Sequence, residues 1–182
     1  LFILLVAFHC ALVMSFESIL PVFSHDQLGA IDGSIFGYLV MGFGLGSLGG
    51  LAVIAGVKTE KRQGQFLMVT SVLSGIAPMF LSVSGTVPIA VIFAVLMGTF
   101  QASFMALTNM YVQLMTPDRL RARVSSLYVL HAGGIMAFAN LGYGFMADIF
   151  SAPPILLLTG GLFVLVVVNL AIGQPILRRV FL

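Results

Sequence analysis

Glu17, Gln101, Thr108, Asn109, His131 and Asn140 are polar side chains standing in otherwise apolar stretches of this sequence, and their types limit the chemistry open to it. Polar groups inside hydrocarbon are costly, and ionisable ones there mark substrate or proton pathways. Glu17 is the only acid well inside an apolar run. A carboxyl in that place could exchange a proton with an internal cavity or recognise a cationic substrate; the alternative is a neutral or snorkelling glutamate bonded to Ser15 or to a neighbouring helix. Gln101 and Thr108 stand two helical turns apart and share a face, which suits a cavity wall with Ser103 and Asn109 beside them. Hydrogen bonds between helices are the competing use of the same side chains. His131 could relay protons near neutral pH, with Asn140 in the same run, but a histidine without a visible partner also serves as a hydrogen-bonded packing group. His9 is read in the same way, and His25 as a loop residue. Tyr111 and Gln113 fall closer to the end of their run, where amphipathic side chains settle in any case.

The elements that must position these residues follow from composition. With 182 residues, 60% hydrophobic and 8% charged, the chain cannot wrap one apolar core in a polar surface, so it reads as a polytopic membrane protein. Runs long enough to cross about 30 Å of hydrocarbon, roughly 20 helical residues, occur at about 1–23, 33–57, 64–83, 87–115, 122–148 and 153–177. Short connections with turn chemistry separate them: SHDQLGAID, KTEKRQ, SGT, the stretch around Pro117, and Pro153-Pro154. Consecutive spans are therefore expected to be antiparallel neighbours. Because Leu1 already lies inside an apolar run, the chain reads as a piece of a longer one, and a removed signal peptide is the weaker reading.

Every Lys and Arg falls in one of three places: Lys58, Lys61 and Arg62; Arg119, Arg121 and Arg123; Arg178 and Arg179. Six spans put all three clusters on one side, with Asp26, Asp32 and Asp148 near the other. The positive-inside rule then makes the basic side, and both ends of this segment, cytoplasmic. Five or seven spans would scatter the basic residues over both faces. The clusters form no stripe along a helix, so nucleic acid is not an expected partner. Cys10 is single and within an apolar run, which suits packing and excludes an internal disulfide.

Gly42, Gly46 and Gly50 repeat at four-residue spacing in the second span, and the fifth carries Gly133, Gly134, Gly142 and Gly144. Rows of small residues let helices approach closely. The third and sixth spans have few strongly polar residues beyond Asn169 and suit a lipid-facing outer layer. No G-x-S-G or H-E-x-x-H occurs, and the histidines are not spaced to share a metal, so no catalytic residue, metal or cofactor is expected. Nor is a filter-like or regularly charged repeat visible that would indicate a channel.

The stretch Pro117-Asp118-Arg119-Leu120-Arg121-Ala122-Arg123-Val124-Ser125-Ser126-Leu127-Tyr128 resembles the P-(D/E)-x-x-R-G-R-V-x-S-x-Y signature between the tenth and eleventh helices of major facilitator superfamily transporters. LPVFSHDQLGA, GFGLGSLGG, YVQLMTPDRLR and NLGYGFMAD agree in order and spacing, so the resemblance covers most of the chain and points to the enterobactin-exporter and macrolide-efflux branch. Ala122 stands where the family has Gly, and the loop after the second span keeps only the basic cluster Lys58, Lys61 and Arg62 of the family's motif.

The resemblance implies an all-α membrane protein. Residues 1–182 would be the carboxy-terminal six-helix half of a three-plus-three inverted repeat, completed by an amino-terminal half not in this sequence. It further implies an antiporter of the bacterial inner membrane that exports drugs, other small amphiphiles or siderophores, with protons as the coupling ion. The partners are then the lipid bilayer, the other half, the small-molecule substrate and protons. In the family the two glycine-rich helices border the opposite half and slide against it. An importer of another solute, a channel and an intramembrane enzyme are the alternatives.

Overall fold

Among the described residues five helices are long and apolar enough to cross a membrane, and a bent pair at the start passes the same test when taken together, which gives up to six spans. The computed structural model describes residues 2–173. Within that range the elements are α1 (Phe2–Leu12), a 3-10 turn (Met14–Ser18), α2 (Leu20–Asp26), α3 (Ser34–Ala55), α4 (Glu60–Ser82), α5 (Val87–Leu114), α6 (Asp118–Ile149) and α7 (Ala152–Gly173). Arg178 and Arg179, with the last residues of the sixth expected span, lie outside the described residues.

The first span departs from expectation. Rather than one continuous helix over 1–23, it breaks, and α2 leaves the preceding segment at 47°. Pro21 in the first turn of α2 supplies the cause: it has no N–H for the carbonyl four residues earlier, and its ring crowds that carbonyl. Side chains take up carbonyls around the break. Ser15 Oγ donates to Cys10 O at 2.8 Å, Ser18 Oγ to Ser15 O at 2.8 Å, and Tyr143 Oη, from α6, to Leu12 O at 2.7 Å. In a bilayer, irregular backbone survives only where such partners exist.

The strongest pairing joins α3 to α5, followed by α4 with α7 and α4 with α5, while α1 packs on α6, α7 and α5. The core falls in two clusters. One gathers Phe2, Leu5, Val6, Leu67, Phe104, Leu107 and Phe163; the other gathers Phe16, Leu20, Phe23, Leu39, Leu81, Met97 and Leu156. Near the second, Asp32 starts α3: Ser34 donates to its carboxylate from both N (3.0 Å) and Oγ (2.6 Å). Those bonds hold the Asp32 carboxyl below the usual aspartate range, the hydroxyl contributing most.

α6 is the longest helix, with 32 residues, or about 48 Å at 1.5 Å per residue. It starts four residues before the expected boundary at 122, so its arginine-bearing turn extends past the roughly 30 Å that hydrocarbon requires. Tyr128 and Tyr143 are its only fully buried residues. Leu130, Phe138, Leu141 and Phe145, each at least two-thirds exposed, stand on the outside of the bundle.

Candidate functional site: a cavity beside a polar layer

Asn109 and Gln113 are one helical turn apart near the end of α5, and Gln113 Nε2 donates to Asn109 Oδ1 at 2.5 Å. An amide pair of this kind fixes both groups while leaving other donors and acceptors free. Both residues line a cavity of about 570 Å³, open to the outside of the bundle, with Tyr128 from α6, Leu51 from α3, and Met105 and Met110 from α5. Its wall is mostly apolar and includes two thioethers that can adapt to a ligand's shape. The Tyr128 hydroxyl points back to Met105, 3.5 Å from its carbonyl and 4.0 Å from its sulfur. Most of the wall is thus apolar, with a few polar groups fixed in place, as small-molecule sites usually are.

A second group lies deeper. His9, Gln101 and Asn140 hold all the buried side-chain polar atoms without a hydrogen-bond partner among the described residues: both His9 ring nitrogens, both Gln101 amide atoms and Asn140 Oδ1. His9 is fully buried between two aromatic rings, 4.3 Å from Phe104 and 5.1 Å from Phe163. α1 and α5 run antiparallel, since Phe2 stacks on Tyr111 at 5.5 Å while His9 meets Phe104. Stepping from His9 toward the break therefore matches stepping from Phe104 back to Gln101. On α6, Asn140 lies three residues before Tyr143, whose hydroxyl reaches Leu12. Asn140 itself is only partly buried, its Oδ1 being the enclosed atom.

The other expected site residues are distributed as follows. Gln101 and Thr108 do share a buried face, and the Thr108 hydroxyl donates to Phe104 O at 2.6 Å within its own helix. Glu17 is exposed rather than buried. The break turns it outward, where it lines a pocket of about 180 Å³ with Phe16, Leu20, Phe36, Val40 and Phe43. His131 is also exposed, in an open groove with Leu127, Leu130, Gly134 and Phe138. The structure therefore buries Gln101, places Asn109 on the cavity, and leaves Glu17 and His131 exposed.

The glycine rows separate in the same way. Gly42, Gly46 and Gly50 are buried and face α5, a neighbour in this bundle, rather than bordering an opposite half. A Cβ at Gly46 would run into the carbonyl of Val95, one at Gly50 into that of Thr99, and one at Gly98 of α5 into that of Phe43. Thr99 Oγ1 donates to Gly46 O across the seam at 3.1 Å. By contrast, Gly133, Gly134, Gly142 and Gly144 meet nothing within 4 Å. A further close approach went unread in the sequence, where the third and sixth spans look like plain outer helices: Gly75 of α4 packs on the carbonyl of Gly160 in α7.

The loop residues Pro117, Asp118, Arg119, Arg121 and Arg123 are all exposed. Pro117 precedes the first helical residue of α6, where Asp118 complements the positive helix end, and Arg121 pairs with Asp118 at 2.7 Å. That pair is exposed and one turn apart, so it contributes little to stability.

Sequence reasoning did not place Gln113 and Tyr128 on a cavity wall. The four-residue spacing of Asn109 and Gln113 was a usable signal. His9 stood out in the sequence as a histidine in an apolar run, and the structure packs it between Phe104 and Phe163.

Over residues 3–178 the sequence matches the family described as transmembrane secretion effector, a group of major facilitator superfamily transporters. The chain belongs to this family. Its helices form one half of a major facilitator fold, which makes it a multi-pass membrane transporter protein and agrees with the absence of enzyme motifs. No curated protein and no solved structure matches it. For a secretion effector the open cavity on α3, α5 and α6 is the candidate substrate surface.

Proposed function

We propose that this chain is the carboxy-terminal half of a proton-driven exporter of small amphiphilic compounds, siderophores among them. The transporter would work by alternating access in a bacterial inner membrane, together with an amino-terminal half. The cavity carries this reading: its size, its apolar and methionine-rich wall, and its fixed amide pair suit an amphiphile with a few hydrogen-bonding groups. The exposed, glycine-bearing side of α6 would face the other half, where small residues permit sliding contact. Lys58, Lys61, Arg62 and the three arginines of the Pro117 loop would be cytoplasmic, as would both ends of the segment. Glu17, His131, Gln101, Asn140 and the buried Thr108 remain the polar candidates for the substrate or proton path.

The test is efflux of a fluorescent amphiphile, with a catecholate siderophore as the second arm, from proteoliposomes holding the intact transporter and an imposed pH gradient. Flux should saturate with substrate and collapse when the gradient is dissipated. Asn109→Leu should lower it about tenfold, the worth of one good hydrogen bond to substrate. Unchanged flux in Asn109→Leu would remove the cavity from the pathway, and gradient-independent current would replace the transporter reading with a pore.

A further inference from the structure

Phe16 and Glu17 are neighbours in the 3-10 turn of the first span, yet Phe16 is buried and Glu17 is exposed. α3 presents a matching stripe. Phe36, Val40 and Phe43 stand four and then three residues apart and so share one helical face. With Leu20 of α2 they complete a pocket of about 180 Å³ that has both Phe16 and Glu17 in its wall. The rings of Phe16 and Phe43 lie 5.2 Å apart, tilted by 53°. Glu17 supplies the only charged or polar side chain of the lining.

That carboxylate has no partner in the protein: among the described residues neither a hydrogen bond nor an ion pair engages Glu17. Lys58, the basic residue nearest to the stripe in sequence, comes after the far end of α3 at Ala55, itself about 18 Å along the helix from Phe43. An acid left unpaired inside a membrane span marks a functional site. Beside three aromatic rings it is complementary to an organic cation, because the carboxylate balances the charge and the negative ring faces attract it as well. A metal ion needs several oxygen ligands, and a primary ammonium has three N–H donors to satisfy; one carboxyl group in an apolar wall suits neither. A quaternary ammonium has no donor, and a protonated tertiary amine has one, which Glu17 can accept. Sites that enclose a whole drug-sized molecule start near 300 Å³. A pocket of about 180 Å³ therefore takes a head group and leaves the rest of the ligand outside.

We propose that the pocket formed by Phe16, Glu17, Phe36 and Phe43 binds the quaternary or protonated tertiary ammonium group of an exported amphiphile. This rests on the exporter reading above and deepens it by naming a substrate class: among the compounds considered there it selects cationic amphiphiles over catecholate siderophores, whose phenolic groups offer Glu17 no cation. The pocket shares no lining residue with the larger cavity, so the two are separate sites. The break in the first span is what joins an inward ring to an outward carboxylate at consecutive positions.

The probe is dansylcholine, a fluorescent quaternary ammonium ester, with its uncharged 3,3-dimethylbutyl counterpart as the control. Both are titrated by fluorescence anisotropy against the intact transporter in dodecyl maltoside micelles, which carry neither charge nor ammonium groups. The native protein should bind the cation roughly tenfold more tightly than the uncharged ester. Glu17→Gln, a near-isosteric change at an exposed side chain, should bring the two affinities together by weakening the cation alone. Phe36→Leu with Phe43→Leu, which keeps the wall apolar and removes two ring faces, should weaken the cation about threefold and leave the uncharged ester nearly unchanged. Equal affinities in the native protein, or a preference retained by Glu17→Gln, overturn the proposal. Phosphatidylcholine added at the concentration of the probe separates a soluble substrate from a lipid: binding should persist, and displacement would give the pocket to a lipid headgroup and overturn the proposal too. Binding is measured at equilibrium without a gradient, so a failure of proton-driven export and a failure of this site are told apart.

Discussion

At the scale of single residues, Tyr143 does the most specific work. Its hydroxyl donates to Leu12 O at 2.7 Å, from a helix 131 positions further along the chain, where the backbone has just left helical geometry. Tyr143→Phe keeps the ring and removes the donor, leaving a carbonyl without a partner in the interior. We expect about 1 kcal/mol of destabilisation, in the range found for hydrogen bonds within membrane proteins, read as a lower midpoint of unfolding in detergent. Gly46→Ala is expected to cost more, about 2–3 kcal/mol, because the new Cβ would meet backbone, which shifts less readily than a side chain. The sequence made these two residues unequally legible. Gly46 belongs to a visible four-residue repeat, and its contact needed only the choice of partner helix. Tyr143 looks like any interfacial tyrosine until the break is known. Glu17 is an acid in an apolar run that stands exposed in the 3-10 turn of the broken segment.

At the scale of the elements, the second to fifth spans fall within a few residues of the boundaries that hydrophobicity sets, because length and composition alone decide whether a helix can cross hydrocarbon. The first span did not yield to that logic. Hydropathy is continuous across the break, and Pro21 was its only sign, in a position compatible with the first turn of a helix as well as with a kink. The start of α3 makes a prediction at this scale. The Asp32 carboxyl is held below its ordinary value of 3.8 by the bonds from Ser34. A depressed folded value means that its contribution is complete above 3.8 and is lost as pH falls through the folded value. Protection of the α3 amides at Ser34 and Gly37, corrected for intrinsic exchange, should therefore fall on acidification through that window. Asp32→Asn should lower protection at neutral pH and remove the dependence. Equal protection in both proteins at pH 7 would show that the carboxylate does not hold the turn.

At the scale of the whole molecule, orientation is the first question. Thr59 beside the Lys58 cluster and Gln27 at the other end are both exposed, and Cys10 is buried, so single engineered cysteines can be read against a silent background. Thr59→Cys is expected to react with a membrane-impermeant maleimide only from the cytoplasmic side, and Gln27→Cys only from the opposite side. Reaction of both from one side would refute the six-span threading on which the site assignments depend.

The α3–α5 seam has a consequence for how the sequence tolerates change. Gly46, Gly50 and Gly98 bring two main chains into close contact, so the two helices should behave as a single beam. In a saturation-mutagenesis map these three positions would form a narrow furrow that accepts glycine alone. Gly133, Gly134, Gly142 and Gly144 of α6, which meet nothing within 4 Å, would take alanine freely in this bundle by itself.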